Sequence, residues 1–136
     1  MKVYVLALDD VFDTGLATVL DAFTTANELA EMSGLTLRFD IRIVGVRKTV
    51  RTSQGLDVPI ILANDSPVPD WVVVPAIGFK MPGPLQAALA RPDVSEAGEV
   101  LRQWAGLGAV TAAACITRTF DGVPPLYIDC GSVGFA

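Results

Sequence analysis

The chain has 136 residues, of which 51% are apolar, a net charge of −5 and no histidine. This size and composition predict one domain with a single core over residues 1–136. The acidic balance disfavours direct binding to nucleic acid, because each phosphate contact needs a lysine or arginine. The lack of histidine excludes a cysteine–histidine catalytic pair within this chain.

The apolar stretches are too short to cross a membrane. Proline or glycine interrupts each one before the roughly 18 residues that a spanning helix needs. The apolar start, Val3–Leu8, runs directly into Asp9 and Asp10, which is unlike a signal peptide. The two cysteines, Cys115 and Cys130, make no disulfide framework. We therefore expect a cytoplasmic protein with no membrane contact.

The first half of the chain has the pattern of a β-α-β unit. Lys2–Leu8 is a run of aliphatic and β-branched residues, typical of a parallel strand covered on both faces. From Thr14, apolar residues recur every three or four positions, which predicts a helix that ends near Gly34 with Asp13 or Thr14 as its N-cap. Alternation in Leu37–Val46 predicts a second strand with one exposed face.

The middle of the chain is rich in turns. Arg51–Ile61 combines a glycine turn with a proline, which predicts a short edge hairpin. Trp71–Pro75 predicts another buried strand. The turn that follows, formed by Ala76, Ile77 and Gly78, lies where parallel sheets commonly present a ligand crevice.

Two further helices and a strand are predicted before the end of the chain. Helical spacing appears on both sides of Arg91-Pro92-Asp93, with Asp93 or Ser95 as the cap of the second segment and glycines 106 and 108 at its end. Ala109–Ala114 predicts a short apolar strand that leads into Cys115. This alternation of strands and helices predicts a doubly wound, mainly parallel sheet.

Five cations fall within fourteen residues around the predicted second strand. They are Arg38, Arg42, Arg47, Lys48 and Arg51. Such a group either forms a local basic strip or marks a solvated strand edge. The second interpretation is favoured, since charged side chains protect sheet edges from aggregation.

Cys115 admits two interpretations. At the tip of a strand and before a helix, its thiolate would be stabilised by the helix dipole, which suits a nucleophile or a ligand-sensing thiol. Alternatively, the side chain fills a small buried space beside the three alanines at 112–114, because an unpaired cysteine behaves as a compact hydrophobe. Spacing alone does not separate the two.

Four segments, in order, carry a resemblance to a known family. They are VFDTGLATVLDAFTTANEL, VRTSQGLDVPI, PDWVVVPAIG and GAVTAAACITRTF. On these segments the chain resembles the ThiJ/PfpI, class I glutamine amidotransferase-like superfamily, and more narrowly the N-terminal domain of AraC-type transcriptional regulators. The resemblance extends to about residue 120, and residues 121–136 form an atypical tail rich in proline and glycine.

The resemblance implies a fold and a site. The fold is an α/β, three-layer αβα sandwich with a mainly parallel, flavodoxin-like sheet that is truncated at its C-terminal end. The nucleophile elbow falls on Cys115, and the acidic partner falls within Asp10–Asp13, with Asp13 closer to the expected position. The implied ligand-binding residues are Cys115, Ile116, Ala76, Ile77, Gly78, Asp10 and Asp13.

The departures from the family determine the expected function. Hydrolytic members pair the elbow cysteine with a histidine, and without it general acid–base help of ~100- to 10,000-fold in rate is lost. We therefore expect a non-catalytic ligand-sensing or oligomerisation domain of an AraC-type regulator. It would form a homodimer through its uncovered sheet edge, respond to a small-molecule effector, and reach DNA only through a domain absent from this chain.

Two alternatives stay open at this point. One is a histidine-independent thiol enzyme that acts on small carbonyl compounds, which requires a low thiol pKa. The other is a structural protein that assembles without any ligand. In each case the sequence predicts no cofactor and no metal site, because histidine and closely spaced cysteine ligands are missing.

Overall fold

The computed structural model describes residues 1–113 in full and the backbone of residues 114 and 126–128. Three helices are present in this part of the chain: α1 (Asp13–Met32), α2 (Pro82–Leu89) and α3 (Pro92–Gly106). The strands are β1 (Lys2–Leu6), β2 (Asp40–Gly45), β3 (Thr49–Arg51), β4 (Asp57–Pro59), β5 (Ile61–Leu62), β6 (Trp71–Val74), β7 (Val110–Ala114) and β8 (Leu126–Ile128).

Six of the strands form one parallel sheet. Their order is β5-β2-β1-β6-β7-β8, and every neighbouring pair is parallel. Apart from the two-residue edge strand β5, this is the flavodoxin-like strand order. Strands β2 and β5 are added on one side of β1, and strands from β6 onward are added on the other side, so the switch point lies between β1 and β6. The predicted fold class is therefore confirmed. β8 also shows that the tail contributes a strand, which its composition did not predict.

The sheet is covered on both faces because the residues of β1 alternate between two clusters. Tyr4 and Leu6 belong to the cluster that contains Leu101 and Trp104 of α3. Val5 instead packs in the cluster that contains residues of α1. The Tyr4 and Trp104 rings meet edge to face, with their centroids 5.6 Å apart. The three-layer arrangement follows directly from the two-residue period of the strand.

The predicted hairpin is present but stands apart from the main sheet. β3 and β4 pair only with each other, in antiparallel register, with Val50 opposite Val58. Both valines are buried in the α1-side cluster, so burial holds the hairpin over the carboxyl end of β1. The edge position that was predicted for the hairpin is taken by β5, which pairs with β2.

The predicted helix caps are wrong for both α1 and α3. The N-cap positions are Phe12 and Arg91, and neither helix start has a side-chain cap hydrogen bond. Asp13 and Asp93 instead lie inside the first helical turn, where a negative charge still interacts favourably with the helix dipole. Their carboxylates accept hydrogen bonds from other donors, Ser53 and Gln54 for Asp13 and Arg91 for Asp93, and not from the backbone N–H groups of their own helices.

The basic group near β2 is charge-compensated. Arginines 38, 42, 47 and 51 pair with Glu31, Asp40, Glu96 and Asp57, respectively. This agrees with a solvated edge and contradicts a continuous basic strip. Among the helices of residues 1–113, none is long and apolar enough to cross a lipid bilayer.

Candidate functional site

The candidate site lies at the carboxyl ends of β1 and β6, where the sheet order reverses. The segments that leave these strands run side by side and form a bridge between Val11 and Ile77. Phe12 N–H donates to the Ala76 carbonyl at 2.8 Å, and Gly78 N–H donates to the Asp10 carbonyl at 2.6 Å. The structure therefore brings together predicted site residues that are far apart in sequence.

The β3–β4 turn is the third segment of the candidate site and packs against the segments that follow β1 and β6. Ser53 N–H donates to the Val11 carbonyl at 3.0 Å, and Asp10 N–H donates to the Arg51 carbonyl at 2.8 Å. A Cβ atom on Gly78 would lie only 2.6 Å from both Cβ and Oγ of Ser53. Glycine at this position thus permits close approach of the β6 loop to the hairpin.

Asp10 is the residue on which these segments converge. Its φ of 63° makes it the non-glycine residue of the described chain with a left-handed backbone, a conformation that ordinary side chains disfavour. Its backbone N–H and carbonyl are both hydrogen-bonded, as noted above. Its carboxylate accepts a 2.8 Å bond from Arg91 Nη1, and Arg91 Nη2 donates to the Asp9 carbonyl at 3.0 Å. These four contacts hold the unusual backbone in place.

Asp13 is fixed by the hairpin turn. Its Oδ1 accepts hydrogen bonds from Ser53 Oγ at 2.8 Å and from Gln54 N–H at 3.1 Å. Its Oδ2 is buried and has no hydrogen-bond partner in the described part of the chain. The hydroxyl of Thr52, followed by Ser53 and Gln54, lowers the pKa of Asp13 against the opposing effect of burial. Asp13 is therefore a carboxylate at neutral pH and can only accept hydrogen bonds.

Several residues of the site were not predicted. Arg91 was interpreted only as part of a helix break, and Ser53 only as part of a turn. Arg91 and Asp10 are 81 positions apart, so no local pattern connects them. The one available signal was Arg91 itself, an arginine that directly precedes a helix-starting proline and is flanked by an acid two positions on.

An open cleft of about 540 Å³ adjoins the Asp10–Arg91 pair, and every residue of its lining except Pro92 is charged or polar. It is bordered by the segment after β2, by Asp9 after β1, and by the start of α3. The lining residues are Asp9, Arg47, Lys48, Thr49, Arg91, Pro92 and Asp93. None of these residues was among the predicted ligand contacts.

Two predicted site residues, Cys115 and Ile116, lie outside the described residues. The strand that precedes them, β7, ends at Ala114 and runs parallel to β6, with Val74 opposite Ala113. The assignment of a site to Cys115 therefore stays a prediction. The amide of Gly78, expected to face the crevice, is already used by the Asp10 carbonyl.

Comparison with known proteins gives structural matches only. No family model matches the chain, and no curated protein matches it. A protein described as a transcriptional regulator from Vibrio parahaemolyticus superposes with a TM-score of 0.62 at 18% identity, over 84% of this chain and 56% of its own. An AraC family transcriptional regulator from Pseudomonas putida gives 0.60 at 20%, over 83% and 63%.

Proteins of the DJ-1 type match as well. Oxidized DJ-1 from Toxoplasma gondii gives a TM-score of 0.55 at 20% identity, over 84% of this chain and 55% of its own. The chain thus spans between about half and two thirds of the length of these three proteins. At these identities the likeness concerns the fold: this chain has the α/β, flavodoxin-like fold that AraC-family regulators and DJ-1/ThiJ/PfpI proteins share.

Proposed function

We propose that this chain is a non-catalytic ligand-sensing or oligomerisation domain of an AraC-type transcriptional regulator. The observation that carries the proposal is the state of Asp13. Hydrogen bonds from Ser53 and Gln54 of the hairpin turn stabilise its ionised form, so it cannot supply a proton, and no histidine is present to take one. The fold shared with two transcriptional regulators supports the same assignment.

In the proposed site, an ionised Asp13 beside Cys115 would work against thiol catalysis. A carboxylate beside a thiol raises the thiol pKa, because the two negative charges repel each other. The fraction of reactive thiolate at neutral pH then falls. In the proposed site Cys115 and Ile116 line a crevice with the Ala76–Gly78 loop, and Asp13 lies close to that loop as a fixed negative charge.

The proposed partners follow from the charge and from the sheet. A chain with a net charge of −5 is poorly suited to DNA phosphates, so DNA contacts in the proposed regulator come from a separate domain. Homodimerisation is proposed to use the sheet edge near β8. A small-molecule effector is proposed to occupy the switch-point crevice.

Calorimetric titration of small metabolites tests the sensing function. Wild-type protein, Cys115→Ala and Asp13→Asn are compared, with Cys130→Ala as the matched cysteine control. We expect binding that weakens in the first two variants and is unchanged in the control. Sedimentation of the same samples should give twice the chain mass of 14.3 kDa. Equal affinities in all four proteins would rule out the crevice as the ligand-binding site.

The second candidate is a histidine-independent thiol enzyme that acts on small carbonyl compounds. The fold likeness to Toxoplasma gondii DJ-1 favours it at the level of architecture. It requires that the Cys115 thiol be ionised near neutral pH, which is the opposite of what the Asp13 carboxylate would produce. The pKa of this thiol therefore separates the two candidates.

A further inference from the structure

We infer that the polar cleft beside the Asp10–Arg91 pair binds a small zwitterion, a compound with a carboxylate at one end and an ammonium group at the other. This inference rests on the proposed sensing function, since it assumes that the domain binds a ligand. It places a ligand in a different location from the Cys115 crevice. The cleft volume of about 540 Å³ lies in the usual range for small-molecule sites.

The two arginines of the cleft are already committed. The Arg91 guanidinium donates to both carboxylate oxygens of Asp93, to Asp10 and to the Asp9 carbonyl. The Arg47 guanidinium pairs with Glu96 of α3 and also donates to the Val46 carbonyl. The side chains of both arginines are therefore fixed in the lining of the cleft, and neighbouring carboxylates largely compensate their charges in the absence of a ligand.

Three polar groups of the cleft are not committed. The Lys48 ammonium and the Thr49 hydroxyl make no hydrogen bond or ion pair within the described residues. Asp9 uses Oδ1 to accept the Arg51 N–H at 3.0 Å, which leaves its Oδ2 open. Lys48 and Asp9 do not pair with each other. The cleft thus presents one ammonium group without a partner among the described residues, and one carboxylate with a single oxygen left open.

This charge arrangement selects for a zwitterion. A simple anion would be attracted by Lys48 but repelled by the Asp9 carboxylate. A simple cation would be attracted by Asp9 but repelled by Lys48. A ligand that carries both charges satisfies both groups, and charge-assisted hydrogen bonds are the stronger kind. The first turn of α3, which begins at Pro92 in the cleft wall, adds a favourable dipole for the ligand carboxylate.

The cleft is also connected to the switch point through Arg91. The same guanidinium that lines the cleft holds Asp10, whose carbonyl holds the β6 loop at Gly78. A ligand that contacts this cleft therefore lies two hydrogen bonds away from the proposed crevice. Occupancy of the cleft would stabilise the Asp10 backbone conformation and, with it, the three segments that converge there.

Isothermal titration with defined probes tests the inference. The probes are glycine, β-alanine, γ-aminobutyrate and ε-aminocaproate, each compared with the matched carboxylate and the matched amine that lack the second charge. The four amino acids differ in the distance between their charged groups, because only a ligand of matching length can contact Lys48 and Asp9 at the same time. We expect at least one amino acid to bind about tenfold or more tightly than either matched probe.

Variants locate the binding. Lys48→Ala and Asp9→Asn should each weaken that probe by about tenfold or more, whereas Lys2→Ala, at the opposite end of the sheet, should leave it unchanged. Asparagine keeps the acceptor for Arg51, and circular dichroism confirms that each variant is folded. Absence of binding by all four amino acids overturns the inference, as does equal binding of a matched carboxylate or amine.

A crossed comparison separates this inference from the proposed function. Loss of binding in Lys48→Ala but not in Cys115→Ala supports the cleft. Loss in Cys115→Ala but not in Lys48→Ala overturns the cleft as the ligand site while it supports sensing at the crevice. Loss in neither variant overturns both.

Discussion

At the scale of single residues, Asp10 best shows how local strain and long-range contacts combine. A left-handed backbone is unfavourable for residues other than glycine, yet three segments require it here. The Arg91 ion pair and two backbone hydrogen bonds offset the cost. Strained residues of this kind are concentrated at functional sites, in agreement with the location of Asp10 at the switch point.

Replacement of Asp10 separates the backbone effect from the carboxylate effect. Asp10→Gly and Asp10→Ala both lose the Arg91 contact, but only glycine tolerates the left-handed conformation. We expect the glycine variant to be more stable by about 1 kcal/mol in chemical denaturation. At Asp9, whose φ is not positive, the same pair of substitutions should show no advantage for glycine. An alanine variant as stable as the glycine variant at position 10 would contradict the strain argument.

The Asp13 carboxylate makes stability depend on pH. Its pKa in the folded protein is lowered by Thr52, Ser53 and Gln54, so its contribution to stability is complete above the ordinary carboxyl pKa of about 4. The contribution is lost as pH falls through that value towards the folded pKa. In Asp13→Asn the stability should be lower than wild type at pH 7, and the difference should shrink in acid. A difference that is constant between neutral and acid pH would contradict the assignment.

At the scale of elements, the β6 loop and the β3–β4 hairpin meet at Gly78. We expect Gly78→Ala to destabilise the fold by about 1–3 kcal/mol, because the added Cβ would overlap Ser53. Gly83→Ala in α2 is the matched control, since no atom lies within 4 Å of the added Cβ. That control should be neutral or slightly stabilising, as alanine favours helix. Equal effects at the two glycines in urea denaturation would refute the close approach.

The sequence predicted the elements better than their contacts. Strand patterns placed β1, β6 and β7 within a residue or two, because burial on both faces leaves a continuous apolar run. The hairpin was also predicted, although its separation from the main sheet was not. That separation depends on the burial of Val50 and Val58 against α1, a tertiary contact that no local pattern encodes.

For the candidate site, too, the sequence predicted the positions of residues better than their contacts. Positions that follow strands, such as Asp10 and Gly78, could be assigned to one edge of the sheet from topology alone. Arg91, the partner of Asp10, and Ser53, the partner of Asp13, could not be assigned in this way, because these contacts join residues 81 and 40 positions apart. The predicted caps were wrong because other donors engage these carboxylates: Ser53, 40 positions away, bonds to Asp13, and the flanking Arg91 bonds to Asp93.

At the scale of the whole molecule, the sheet brings the described candidate groups to the carboxyl ends of its parallel strands. Asp9, Asp13 and the Ala76–Gly78 loop lie at this end of the sheet, where β7 also ends. The polar cleft lies there as well. The shared fold explains why regulators and DJ-1-type proteins both match this chain, and a shared fold does not by itself imply a shared function.

The pH dependence of Cys115 alkylation by iodoacetamide tests the non-catalytic assignment. The rate is measured in a Cys130→Ser background with and without Asp13→Asn. We expect a half-reaction point at or above about pH 8.5 that moves to lower pH when the Asp13 charge is removed. A half-reaction point near neutrality in the parent protein would contradict the non-catalytic assignment and favour a thiol enzyme. A point that does not move in Asp13→Asn would show that Asp13 and Cys115 do not share a site.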